Sequence, residues 1–181
     1  VGQASYTKDF SDATLNFNKF KDFVLEKIRG DIIDIETHDK SLAKLFDMYS
    51  GIDAINVYNG QIRGLAIRIQ YGNNWNTFTI RYKRATNSKT EYEKRIEAIY
   101  GDNGFLYPYI TIQMYLTNKN ILENKILSIG IVKTKDLYDY IKENFNTIKH
   151  NKAPDGNDFL IVSFNELKNN NKKIIIKNFN Q

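Results

Sequence analysis

Cysteine is absent from the chain's 181 residues, which removes disulfide staples, thiolate metal ligands and a cysteine nucleophile. Histidine occurs only as His38 and His150, with no partner at ligand spacing, so no zinc site is expected. With two prolines and ten glycines, the chain shows neither a Pro/Gly-rich linker nor an internal repeat. No apolar run approaches the ~18 residues of a membrane span. No charged-then-apolar leader opens the chain, so a secretory signal is not expected. Also missing are the glycine-rich phosphate loops of nucleotide-binding proteins and the Gly-x-Ser-x-Gly elbow of α/β-hydrolases, and no Ser-His-Asp triad is supported. These absences fit a soluble cytoplasmic protein with no membrane partner.

What is present is an ordinary globular composition. Hydrophobic residues make up 41% and aromatics 13%, enough to build the core of one domain spanning 1–181. The formal net charge is +5, with a sequence pI of about 9.2. A basic surplus is the footprint of a polyanionic partner. The same surplus also follows from a Lys-, Asn-, Ile- and Tyr-rich composition of the kind an AT-rich genome imposes, so charge alone decides nothing.

Hydrophobic periodicity predicts the elements. Phe17, Phe20, Phe23, Val24 and Ile28 form one helical stripe over Asn16 to Ile28. A second helix is expected from Lys40 to Tyr49, with Leu42, Leu45, Phe46 and Tyr49 inward. The period then changes to two: a strand from Gly51 to Tyr58, a hairpin turn at Asn59-Gly60, and a partner strand from Gln61 to Gln70. Gly64 inside that partner marks a bulge or a close approach. A polar loop leads to a strand at Thr77 to Lys83, where Phe78, Ile80 and Tyr82 alternate with Thr79, Arg81 and Lys83. Thr90 and Glu93 make a capping box for a helix carrying Tyr92, Ile96 and Ile99, stopped by Gly101. Strands at Tyr109 to Thr117 and Lys125 to Lys133 precede a helix from Thr134 with Leu137, Ile141 and Phe145 inward. A loop from Asn146 to Asn157, a strand at Asp158 to Ser163, a turn at Lys168 to Lys173 and a strand at Lys172 to Asn178 close the chain. This order predicts one α/β (α+β) domain around a mixed central sheet.

Gly51 to Lys83 holds the candidate chemistry. Gly51-Ile52-Asp53 opens the first strand, Arg68-Ile69-Gln70 ends the second, and Arg81 and Lys83 lie on the third. The α-β-β-β-α-β order around these residues resembles the core of the PD-(D/E)xK, restriction-endonuclease-like nucleases, over roughly Asn16 to Leu116. In that family an acid on one strand and Glu-x-Lys on the next surround Mg²⁺ or Mn²⁺, which neutralises the phosphate and lowers the pKa of a bound water. The resemblance implies a metal-dependent DNA endonuclease of a restriction, defence or mobile-element kind. Asp53 would bind metal, Gln70 would position water or metal, and Arg68 and Arg81 would hold the phosphate. Here Arg68 stands where the second acid belongs and cannot ligate a cation, while Gln70 replaces the lysine. The family is known to relocate such groups to the neighbouring helix, which makes Glu91 and Glu93 candidates beside Lys94, and Glu26 of the first helix a third. A homodimer, with one active site per DNA strand, is an expectation of the same resemblance.

Each residue also has a plainer reading. Asp53 caps or pairs with an arginine, and Glu91 and Glu93 serve the helix dipole. Arg68, Gln70, Arg81, Lys83, Gln113 and Tyr115 form the solvated face of an antiparallel sheet. Lys89, Lys94 and Arg95 read as a solvated helix face. Trp75, in a polar loop, either stacks on a base or plugs the core. The alternative to the nuclease is therefore a catalytically inactive nucleic-acid-binding module or subunit of a larger complex, with Arg81, Lys83, Trp75 and Gln113 as contacts. A third reading is a protein-interaction domain whose charge is compositional.

Overall fold

The structure is a computed structural model that describes residues 2–86, 88–102, 104 and 106–179. Alternation of apolar side chains builds its centre. Along β3 (Gln61–Tyr71), Leu65, Ile67, Ile69 and Tyr71 face one way, and the intervening Ala66, Arg68 and Gln70 face the other. β5 (Ile110–Leu116) repeats the pattern with Ile110, Ile112, Met114 and Leu116. The long first helix, α1 (Gly2–Ile28), lays Phe17, Val24 and Ile28 on this apolar face. A six-stranded mixed sheet results. Its order is β1 (Asp31–Asp34), β2 (Ala54–Tyr58), β3, β5, β6 (Ile126–Lys133) and β9 (Ile174–Asn178). All neighbours are antiparallel except β3 and β5, which run parallel in the register Arg68 to Gln113.

β4 (Thr77–Lys83) does not join that sheet. It pairs instead with β8 (Asp158–Ser163), which pairs with β7 (Lys149–Lys152) to form a small antiparallel sheet. The expected mixed central sheet is present, but the third strand of the sequence meander has left it. The reason lies in its apolar face. Phe78 and Ile80 pack with Leu160 and Val162 of β8 and with Leu137, Tyr138 and Ile141 of α5 (Thr134–Asn144), on the side of the main sheet away from α1. α4 (Glu91–Tyr100) adds Tyr92, Ile96 and Ile99 to that second core. The short α6 (Phe164–Asn169) adds Phe164 and Leu167, both fully buried at ~1.5–3 kcal/mol each. Gly130 of β6 makes room for the Phe164 ring, which occupies the place of a β-carbon there.

Several sequence expectations change in detail. α1 begins well before Asn16. The Asn59-Gly60 turn is as expected, with φ of 50° and 73°, the pair of positive values a type I′ hairpin needs. Gly64 marks a close approach to Ile52 and Pro108 and not a bulge, since β2 and β3 pair without a shift. Two short helices, α2 (Ile35–His38) and α3 (Lys40–Leu45), are followed by a π-helical turn over Phe46–Ser50. The wider π turn breaks the helical period. Leu42, Leu45 and Tyr49, expected inward, are exposed. Among the described residues no helix is long and apolar enough to cross a membrane.

Candidate functional site

The departure of β4 opens a cleft of about 480 Å³ between the main sheet and the small one. Gly51 and Asp53 line it from the start of β2, Ala66 and Arg68 from β3, Thr111 and Gln113 from β5, and Thr79 and Arg81 from β4. Arg84 just past β4, and Glu91, Lys94 and Arg95 of α4, complete the wall. Five side chains of formal positive charge thus face two of negative charge.

β4 presents its free edge to this cleft, and side chains from the opposite wall satisfy it. Tyr115 donates its hydroxyl proton to the Thr77 carbonyl at 2.8 Å, and Arg68 donates Nη1–H to the Thr79 carbonyl at 2.6 Å. The Glu91 carboxylate accepts the Arg81 N–H at 3.4 Å and, on the same oxygen, Arg68 Nη2–H at 2.7 Å. Unpaired strand edges are costly when buried, so these three side chains replace the neighbouring strand that β4 lacks.

Asp53 plays a similar part just ahead of β2. The ladder with β3 stops at Ala54 and Leu65, and the Asp53 carboxylate accepts the next free β3 amide, Ile67 N–H, at 2.6 Å. Arg95 fixes the segment leading to it. Only 3% exposed, it bonds the carbonyls of Ser50 and, at 2.7 Å, Gly51. Gly51 has φ of 55°, and a β-carbon there would lie 2.5 Å from the Arg95 guanidinium.

Arg81 and Arg84 are placed differently. Among the described residues neither takes part in an ion pair, and the Nε of each is buried without a hydrogen-bond partner. Arg84 reaches Ser88 Oγ at 3.1 Å, and Arg81 lies over the Phe159 ring at 5.6 Å. Burial, then the charges of Arg68 and Arg84, pull the Arg81 guanidinium below its usual pKa. The group wants an anion.

The expected site residues separate into those the cleft gathers and those it does not. Asp53, Arg68, Arg81, Glu91 and Gln113 line it. Gln70 does not; its side-chain carbonyl faces Gln113 Nε2 at 3.5 Å. Glu93 is taken up by the capping box, accepting from Thr90 N–H at 2.7 Å, and this bond with that of the Thr90 hydroxyl holds its carboxyl below the usual value. Glu26 lies on α1, across the sheet from the cleft, two-thirds exposed and 3.7 Å from Lys27. Lys83 is exposed at the end of β4, and Trp75 is 65% exposed in its loop, so it plugs no core. Lys94 and Arg95, read from sequence as a solvated helix face, line the cleft instead, and Arg84 was missed. The signal for the helix residues was available: Glu91, Lys94 and Arg95 recur at helical spacing on a face adjoining that of Tyr92, Ile96 and Ile99.

A divalent cation is a poor fit to these side chains. Among the described residues no three His, Cys, Asp or Glu side chains are grouped to hold one. Of the two acids in the cleft, Glu91 is bonded to a guanidinium and Asp53 to a backbone amide. Expected ligands Glu26 and Glu93 are committed elsewhere.

The chain matches no family model, no curated protein and no solved structure. Fold and cleft together define a class only: an α/β protein with a basic cleft at the seam between a mixed sheet and a small antiparallel one.

Proposed function

We propose that the cleft holds backbone phosphate of a nucleic acid. The observation that carries this reading is the pair Arg81 and Arg84: two guanidiniums on one wall, without an ion pair among the described residues and with orphaned Nε–H donors. Like charges held together in a partly desolvated cleft repel, and a phosphate placed between them relieves that repulsion while accepting the free donors. The chain's charge of +5 favours a polyanion over a lone phosphate. In this reading Arg68 and Glu91 are the wall, and Arg95 holds the Asp53 segment in place.

Hydrolysis of the phosphodiester is a second reading with one observation in its favour. Asp53, Glu91 and Lys94 share the cleft, and an acid, a second acid and a lysine are what the PD-(D/E)xK nucleases assemble, here with the last two carried on α4. It requires Glu91 to exchange Arg68 for a cation.

Binding of labelled duplex and single strands across a salt series tests the first reading. Arg81→Ala and Arg84→Ala are expected to weaken binding and to lower the slope of log K against log salt by roughly 0.9 each on duplex. Binding without salt dependence overturns it. The same samples with Mg²⁺ or with EDTA test the second: Mg²⁺-dependent cutting that Asp53→Ala abolishes would put hydrolysis first.

A further inference from the structure

The small sheet has an outer face that neither core uses. Phe78, Ile80, Leu160 and Val162 point into the second core, so by the period of two Thr79, Arg81, Phe159 and Ile161 point away from it. Strand register aligns these in two rows: Arg81, Phe159 and Asn151 in one, Thr79, Ile161 and Lys149 in the other. Phe159 and Ile161 are partly buried and belong to neither apolar cluster. β7 beside them, Lys-His-Asn-Lys, is exposed along its whole length. The face therefore has an apolar centre with a cation at either side, and one of those cations, Arg81, is also a wall of the cleft. The nearby acid Asp155 is engaged by Asn157 at 2.6 Å, and Asp158 is buried next to His150.

We propose that a single-stranded nucleic acid leaving the cleft continues over this face, with bases against Phe159 and Ile161 and phosphates toward Arg81 and Lys149. The proposal rests on the reading of the cleft as a nucleic-acid site. Charge complementarity selects a polyanion, and continuity through Arg81 joins the two surfaces. The apolar centre selects a single strand: a duplex offers phosphates but keeps its base faces stacked inside, whereas unpaired bases have free faces that rest on aromatic and apolar side chains. Neighbouring strands lie roughly 4.8 Å apart, so β4 to β7 spans roughly 10 Å.

The test is a series of labelled oligothymidylates from dinucleotide to dodecamer, with a duplex as reference, bound to the 181-residue chain. Wild type is expected to bind single strands more tightly as length grows and then to level off. Phe159→Ala should weaken the longest oligomer roughly 5- to 100-fold, the range for one lost stacking contact, and leave the duplex unchanged. Lys149→Ser alters only an exposed side chain of β7, in register with Ile161, so it tests the face even if Phe159→Ala misfolds. It should lower the single-strand salt slope by roughly 0.7. Affinity independent of length, equal losses on duplex and single strand, or an unchanged slope in Lys149→Ser overturns the proposal while leaving the cleft standing. Binding to neither strand nor duplex removes the cleft reading and this one together.

Discussion

Arg95 is buried with its guanidinium bonded to the Ser50 and Gly51 carbonyls, while Arg84, on the wall of the same cleft, bonds Ser88 alone among the described residues. The two arginines should fail differently. Arg95→Ala leaves two carbonyls without their charged donor and a hole beneath Gly51; the expected loss is about 2–4 kcal/mol, read as a lower urea midpoint at constant m. Arg95→Lys should restore only part of it, because a compact ammonium does not present the fork that reaches both carbonyls. Arg84→Ala should stay within about 1 kcal/mol of wild type and yet lose nucleic-acid affinity. Gly51→Ala belongs with the first group: its φ of 55° strains any side chain, and the added carbon meets Arg95.

At the scale of elements, α4 is held at both ends by titratable groups. Its N-terminus carries the Thr90–Glu93 capping box. Near its C-terminus the Tyr100 hydroxyl donates to Asp139 of α5 at 2.5 Å, and Lys135 donates to the same carboxylate at 2.8 Å. Burial alone would raise the Asp139 pKa, but the hydrogen bonds from Lys135 and Tyr100 outweigh it and hold the group below its usual value. Burial, then the bond to Asp139, pushes Tyr100 up. A lowered acid contributes stability that is present above its unfolded pKa of about 3.9 and is lost as pH falls through the folded value. A raised tyrosine contributes below its unfolded pKa of about 10 and loses that contribution as pH rises through the folded value. Asp139→Asn should therefore flatten the acid limb of the thermal midpoint against pH, and blunt the alkaline limb as well. The caps that set α4 were readable because a Thr-x-x-Glu pattern precedes an apolar period. An equivalent pattern, Ser163 to Glu166, caps α6, a six-residue helix that went unread between the strand at Asp158 to Ser163 and the Lys/Asn-rich turn that does follow it. β1 and β7 were missed because four-residue strands carry too little alternation to register: Asp31–Asp34 shows one buried residue, and Lys149–Lys152 none. Both exist through pairing with β2 and β8, a tertiary effect that local pattern does not encode.

At the scale of the molecule, the main sheet divides two apolar cores, and the cleft lies where the second sheet is tied to the first. The acids and bases on β2, β3 and β4 were visible in sequence; that β4 would leave the sheet and turn its free edge toward them was not, since it depends on β8, some eighty residues further on, in the register Ile80 to Leu160. One consequence is that Arg68 is both tether and electrostatic mask. It holds the Thr79 carbonyl of the second sheet and neutralises Glu91 in the cleft. Arg68→Ala removes one positive charge and also exposes a negative one, so it should weaken phosphate affinity even though Arg68 belongs to the wall and does not itself hold the phosphate. Glu91→Gln should tighten binding by removing the cleft's competing anion. The double variant Arg68→Ala/Glu91→Gln should then bind better than Arg68→Ala, and the cycle should show a coupling of about 0.5–3 kcal/mol between the two positions. Titration of one labelled oligonucleotide against the four proteins measures it. Additive effects would mean that Glu91 is not felt by the ligand, and the phosphate would have to sit elsewhere. If instead the wild type cuts DNA with Mg²⁺ and Glu91→Gln binds tightly without cutting, Glu91 is a ligand in waiting, and the ion pair with Arg68 is the resting state of a nuclease.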